Sequence, residues 1–176
     1  LVGSEMCIRD SFTPALCNRI DRNTGGIVVA AKNAEALRIL NDKIRDREIA
    51  KYYLCIALGR VEPPKGRIEC FLRKDEKSNT VRVYHRPVPD GRSAITLYQT
   101  LQTRGELSLL EVELLTGRTH QIRVHMAHVG HPLWGDKLYG RGGQVLTPPV
   151  PGVLLKHDPA PRQMLHAWHL SFIHPF

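Results

Sequence analysis

The stretch Arg92–Leu115, RSAITLYQTLQTRGELSLLEVELL, decides the fold class. In its second half Leu110, Val112 and Leu114 alternate with Glu111 and Glu113, the two-residue period of a strand with one apolar and one wet face. Its centre, Thr103-Arg104-Gly105-Glu106, is a turn signal, so Arg92–Leu101 and Leu107–Leu115 read as the arms of a hairpin. Working outward, Gly66–Arg73 and Thr80–His85 flank the polar turn Lys74–Asn79 and predict a second hairpin. Further upstream, Tyr52, Leu54, Ile56 and Leu58 alternate with Tyr53, Cys55 and Ala57, giving a strand with a bulky face and a small one. Strands that follow one another through short turns, without helices between them, predict an antiparallel sheet in an α+β fold.

Two helices are expected beside that sheet. Asn33 is a fitting N-cap for a helix in which Leu37, Leu40 and Ile44 repeat at i, i+3, i+7, with Arg38, Asp42, Lys43 and Arg45 on the other face. The second covers Thr119–Val129, with Ile122, Met126 and Val129 toward the core and Gly130 as terminator. Ile27–Ala31, entered through the turn-forming run Asn23–Gly26, reads as a short apolar strand, and Leu165–Phe176 as a last one. The proline-rich segment Gln144–Pro161 is expected to be an irregular surface loop. No repeat and no domain boundary are visible.

The composition agrees with a single globular domain. The chain has 176 residues, 42% of them hydrophobic and 24% charged, which excludes a disordered chain and supplies one core. A formal net charge of +8 points to a polyanionic partner, most economically nucleic acid. The uncharged stretch Gly142–Leu155 contains three prolines and falls short of the about 18 apolar residues that a membrane span needs, so no membrane association is expected. No basic-then-apolar leader stands in the sequence. Cys7, Cys17, Cys55 and Cys70 are scattered and form no CxxC pair, the pattern of reduced thiols in a cytoplasmic protein. Leu1–Asp10 has no helical or strand periodicity, so residues 1–11 are left unassigned, as foreign or disordered sequence.

Three segments carry more polar detail than a core requires. Asn18–Gly26 (NRIDRNTGG) places Asp21 between Arg19 and Arg22 on a glycine-rich turn, which suits a carboxylate that stays ionised beside a polyanion. The plainer reading is an acid that satisfies local backbone donors. Gly117–His125 (GRTHQIRVH) opens the second helix, where free amides with Arg118, His120 and Gln121 make an anion-binding end; the alternative is a solvated basic helix terminus. Arg123 lies one turn further in, so an Arg–carboxylate pair forms if this face meets the Asp21 turn. His120, His125, His128 and His131 lack an HExxH pattern and meet no carboxylate before Asp136, so they are read as core or RNA-facing groups and not as metal ligands.

Five ordered motifs then resemble the RluA-type family of RNA pseudouridine synthases: Asn18–Gly26, Lys51–Gly59 (KYYLCIALG), Thr116–His125 (TGRTHQIRVH), Gly130–Gly140 (GHPLWGDKLYG) and Leu165–Pro175 (LHAWHLSFIHP). The resemblance covers Phe12–Phe176. It implies a mixed, largely antiparallel central sheet with flanking helices, and a monomer that uses no cofactor and acts on structured ribosomal or transfer RNA. It implies Asp21 as the catalytic aspartate, Tyr53 and Lys51 as the tyrosine and lysine of a K-x-Y strand motif, and Arg123 as the partner of the acid. Arg19 corresponds to a residue suited to fill the stack vacated by a flipped uridine, and Arg22, Thr24, Lys51, Arg118, His120 and Gln121 are expected to contact RNA. Asn18 and Gly25 depart from the family, which commonly has His and Ser there. A K-P-x-G stretch at the N-terminal side and a short C-terminal continuation are missing too, so residues 12–176 are expected to be an incomplete catalytic domain with an exposed sheet edge.

The chemistry so implied breaks C1′–N1 of uridine and rejoins the base through C5, with no redox change. A carboxylate acting as nucleophile or as base is needed, and the base must leave its stack at a cost of a few kcal/mol that phosphate contacts offset. Tyr53 would pack on the flipped base and exchange a proton with it. The 2′-hydroxyl distinguishes RNA from DNA. An RNA-binding module without catalysis is the rival reading, sharing the basic surplus without a use for the acid; a metal-dependent hydrolase built on the histidines is the third.

Overall fold

A computed structural model describes residues 12–140 and 160–173. The readings made for Leu1–Asp10, for most of the Gln144–Pro161 loop and for the last residues of the final strand lie outside the described residues. In chain order the elements are β1 (Ala15–Leu16), β2 (Gly25–Gly26), β3 (Ala30–Ala31), α1 (Ala34–Arg45), β4 (Ala50–Leu58), β5 (Lys65–Asp75), β6 (Thr80–Tyr84), β7 (Arg92–Arg104), β8 (Leu107–Leu114), α2 (Gln121–His128) and β9 (Leu165–Ser171).

Both hairpins form as read. β5 pairs with β6, and β7 pairs with β8 in the register Tyr98↔Val112. They join a seven-stranded sheet of order β2-β9-β4-β8-β7-β5-β6. Its pairings are antiparallel except β2 with β9, so the sheet is mixed and the class is α+β. The small face of β4 is the buried one: Tyr53, Cys55 and Ala57 are each 8% exposed or less and sit in the core with Leu110 and Val112 of β8. Leu54 and Ile56, on the bulky face, are half-buried.

Ile27–Ala31 is not one strand, contrary to expectation. Gly26 turns the backbone at φ 115°, so β2 ends there on the main sheet while Ala30–Ala31 pairs instead with β1. The residues between cross from one sheet to the other: the Ile27 amide donates to the Ala167 carbonyl at 2.8 Å, and the Val29 amide donates to Asn18 Oδ1 at 2.8 Å. Apolar, β-branched content over a few residues fits a crossing as well as a strand.

α1 is capped as read, Asn33 Oδ1 accepting from the Ala36 amide at 2.7 Å, although Leu37, Leu40 and Ile44 are only half-covered. α2 begins at Gln121, two residues later than expected, because His120 adopts a left-handed φ of 54°. Every residue from Gln121 to Ala127 is buried, so α2 is enclosed on all sides, polar positions included. Ile122 and Met126 join the cluster around β4, while Val124 and Ala127 join a second one with Cys70, Leu72, Val81 and Tyr139. Val129, expected in the core, is exposed, since it caps the helix beyond its enclosed part. Among the described residues no helix is long and apolar enough to cross a membrane.

His125 is wholly buried on α2, its Nε2 3.0 Å from Cys70 Sγ and its Nδ1 without a partner. Burial, with His128 adding to it, pulls its pKa from 6.5 down to about 4. The unfolded chain therefore binds the proton first as pH falls. His125 costs nothing above the unfolded value and progressively destabilises the fold from about pH 6.5 toward 4, by about 2 kcal/mol at pH 5. Melts of the wild type and His125→Gln at pH 7.5 and 5 should show this acid loss in the wild type alone.

Candidate active site

The loop bearing Asp21 is a tight turn tied to the opposite end of the described chain. The Thr24 amide donates to the Asp21 carbonyl at 3.0 Å, and Asn23 takes a left-handed φ of 70°. Gln163 Nε2 donates to the Arg22 carbonyl at 2.8 Å and to Thr24 Oγ1 at 3.4 Å. Gly26 lies so close to β9 that an added Cβ would stand 2.0 Å from the Ala167 carbonyl oxygen. At Gly25 the same atom would be 3.0 Å from the His166 ring, a neighbour that a serine would crowd. Asn18 fastens the other side of the loop through the Val29 amide.

Opposite this turn stands β4. Its register with β9 shifts between Tyr52, across from His169, and Tyr53, across from Ala167, so Trp168 is the extra residue of a bulge beside Tyr53. Lys51 and Tyr53 share one face of the strand, and both line the same cleft as Asp21. The cleft measures about 310 Å³, and Arg19, Thr24, Arg118 and Gln121 also contribute to its wall. Among the described residues that line it, Asp21 is the one carboxylate.

Arg123 stands behind the acid. Its Nη1 is 3.8 Å from Asp21 Oδ2, but its close partner is Asp136, reached by Nε at 2.7 Å and by Nη2 at 2.9 Å. Asp136 is fully enclosed, and its Oδ1 also accepts from the amides of Leu138 and Tyr139 at 2.9 and 3.2 Å. The Tyr139 ring packs against the guanidinium at 5.1 Å, and its hydroxyl lies 2.8 Å from His120 Nδ1 and accepts from the Val81 amide at 3.0 Å. Burial on its own would lower the Arg123 pKa; the hydrogen bonds and charge of Asp136, followed by Asp21, overcome it and raise the value. Burial, then the Asp21 charge, pushes the Tyr53 phenol up, so the neutral phenol is the resting form. Burial pulls His120 down despite the nearby acids.

Of the residues singled out in the sequence, Asp21, Tyr53, Lys51, Arg19, Thr24, Arg118 and Gln121 meet at the cleft, and Arg123 backs it. Arg22 is exposed outside the wall, and His120 is buried against Tyr139. The Gln121 amide is engaged by protein: it accepts from Thr116 Oγ1 and the Arg118 amide and donates to the Ile95 carbonyl and Thr96 Oγ1. Asp136 and Tyr139 carried no assigned role. The signal available was a lone acid ahead of Leu-Tyr-Gly in Gly130–Gly140, a segment otherwise poor in charge. No cluster of three or more potential metal ligands occurs among the described residues.

The mixed sheet has the fold of pseudouridylate synthase domains. It superposes on human RNA Pseudouridylate Synthase Domain Containing 1 with a TM-score of 0.74 at 25% identity, over 90% of this chain and 63% of that one. The profile of the RNA pseudouridylate synthase family matches residues 6–128, and the chain belongs to that family, in its RluA-type branch. It is 39% identical over 171 residues to an uncharacterized RNA pseudouridine synthase of Chloroflexus aurantiacus, covering 97% of this chain and 49% of the relative. It is 37% identical over 160 residues to ribosomal large subunit pseudouridine synthase D of Nitrosomonas europaea, covering 91% of this chain and 44% of that protein. The chain thus spans about half the length of the curated relatives it matches.

Proposed function

We propose that this chain carries the catalytic centre of an RNA pseudouridine synthase that isomerises uridines of ribosomal or transfer RNA, with Asp21 as the catalytic carboxylate. The observation that carries the reading is that Asp21 and Tyr53 share one cleft while the Arg123 guanidinium stands 3.8 Å behind the acid. In the reaction C1′–N1 breaks, C1′–C5 forms, C5 loses its proton and N1 gains one, so atoms and electrons balance without a co-reactant. Asp21 acts on the scissile sugar–base pair. Arg123 steadies its charge from behind without chelating it, which leaves the carboxylate oxygens open to the substrate. Tyr53 packs on the flipped base and, resting as the neutral phenol, exchanges a proton with it. Arg19, exposed beside the acid, takes the place of the uridine in its stack, and Lys51 and Arg118 neutralise phosphate. The working partner is structured RNA, and the site serves within one protomer.

The test is direct. Transcripts of ribosomal and transfer RNA made in vitro, and hence free of pseudouridine, should acquire carbodiimide-dependent reverse-transcription stops after incubation with the protein. Salt-sensitive binding without stops would leave an RNA-binding module and overturn the reading. Tyr53→Phe keeps the ring and removes the hydroxyl; we expect a single-turnover rate about 10²-fold lower with RNA affinity unchanged.

A further inference from the structure

Helix α1 pairs its cations locally, Arg38 and Arg45 with Asp42 and Lys43 with Glu48. Just beyond it the pattern changes. Arg47, Lys51, Arg92 and Arg118 come from four separate parts of the fold and make no ion pair among the described residues, yet they gather around one point. That point is Gly117, where an added Cβ would stand 3.3 Å from Lys51 Nζ. Lys51, Gly117 and Arg118 form a saddle between the Asp21 cleft and a second hollow of about 480 Å³, which Arg47 borders. Arg118 also borders a third hollow together with Arg92.

The cations feel one another. Burial lowers the pKa of Lys51 and Arg47 lowers it further; burial lowers that of Arg118, and Arg92 and Arg47 add to the effect. Arg118 is fixed by its Nε, which donates to the Ser93 carbonyl at 3.0 Å, so its outer nitrogens remain for a ligand. Arg47 is held at a left-handed φ of 63°, a conformation that costs free energy in any residue but glycine. The nearby acids do not match this charge: Glu113 borders the second hollow, Asp90 and Glu76 the third, and Glu76 is already taken by Lys74. Lys51 and Arg118 are half-buried beside the exposed Arg47 and Arg92, and like charges so placed without ion-pair partners repel one another, which an arriving anion reverses. Lys51 precedes Tyr53 by two residues on the same strand face, about 7 Å along β4, so an anion on the saddle lies within a nucleotide's reach of a base held at Tyr53.

We propose that the saddle of Arg47, Lys51 and Arg118, with Arg92 beyond it, binds the phosphodiesters that flank the target uridine and so sets the path of the RNA strand into the cleft. The inference rests on the pseudouridine synthase reading for the identity of the strand, while the phosphate site itself can be tested apart from it. With the whole 176-residue chain and a labelled oligouridylate of about fifteen nucleotides, log Kd is followed against log salt. Arg47→Gln and Arg92→Gln should each lower the slope by about 0.7, and together by about 1.4, while Arg38→Gln on α1 leaves it unchanged. Unaltered slopes in Arg47→Gln and Arg92→Gln proteins that melt as the wild type does would overturn the proposal. Slopes that fall while the wild type produces no carbodiimide stops would sink the catalytic reading and leave the phosphate site standing. On a transcript that is modified, neutral methylphosphonate linkages flanking the uridine should remove the penalty of Arg47→Gln. A penalty that persists in full would place Arg47 away from those phosphates.

Discussion

Asp21→Asn is expected to lower pseudouridine formation by about 10³-fold or more, roughly 4 kcal/mol of activation barrier, while the protein melts as the wild type does. The asymmetry follows from how Asp21 is held. Its side chain is 20% exposed and meets Arg123 only at 3.8 Å, beyond hydrogen-bond reach, so the substitution removes no hydrogen bond between them. The turn itself depends on its backbone carbonyl, which asparagine retains. Arg123 keeps its principal partner, Asp136, whatever occupies position 21. What the amide cannot supply is a full negative charge on an oxygen facing the substrate. Single-turnover assays on unmodified transcripts alongside thermal melts separate the two effects. Carbodiimide stops appearing at the wild-type rate in Asp21→Asn would refute the assignment of the acid.

Asp136→Asn should do the reverse to stability, costing about 3–5 kcal/mol, because it strands a buried guanidinium beside an amide group. In a chain of this size that corresponds to a fall in melting temperature of roughly 6–20 °C. The asparagine oxygen can still accept from the Leu138 and Tyr139 amides, so the loss is chiefly that of the charge pair. Without the charge of Asp136, Arg123 is no longer fixed behind Asp21, and the acid loses the steady support proposed for it above. Activity per folded molecule should therefore fall as well. A variant that melts at the wild-type temperature would show that the Asp136–Arg123 pair carries no stability.

The sheet was largely legible because its hairpins announce themselves locally. Alternation in Leu107–Leu114 and the turn at Gly105 fix partners a few residues apart, and the β5–β6 hairpin is equally local. The segment after Gly26 departs from its expected strand because β-branched apolar residues give the same signal whether they continue a strand or cross between two sheets. α2 hid its boundary and its burial for a related reason. The periodicity of Ile122 and Met126 marks one covered face, whereas Gln121, Arg123 and His125 are covered through specific partners that spacing does not show. At the site, Asp21, Tyr53 and Arg123 stood out through their motifs. Asp136 did not, since its meaning lies in a bidentate contact across 13 residues that no local pattern encodes.

The loop of Asp21 owes its shape to residues about 140 positions later, through Gln163 on Arg22 and Thr24 and through β9 on Gly25 and Gly26. During synthesis those residues leave the ribosome long after the acid does. Until they emerge, the turn has its own Thr24–Asp21 hydrogen bond and Asn18 on the Val29 amide, but neither Gln163 nor β9 against it. The bracing of this turn is therefore completed late in translation.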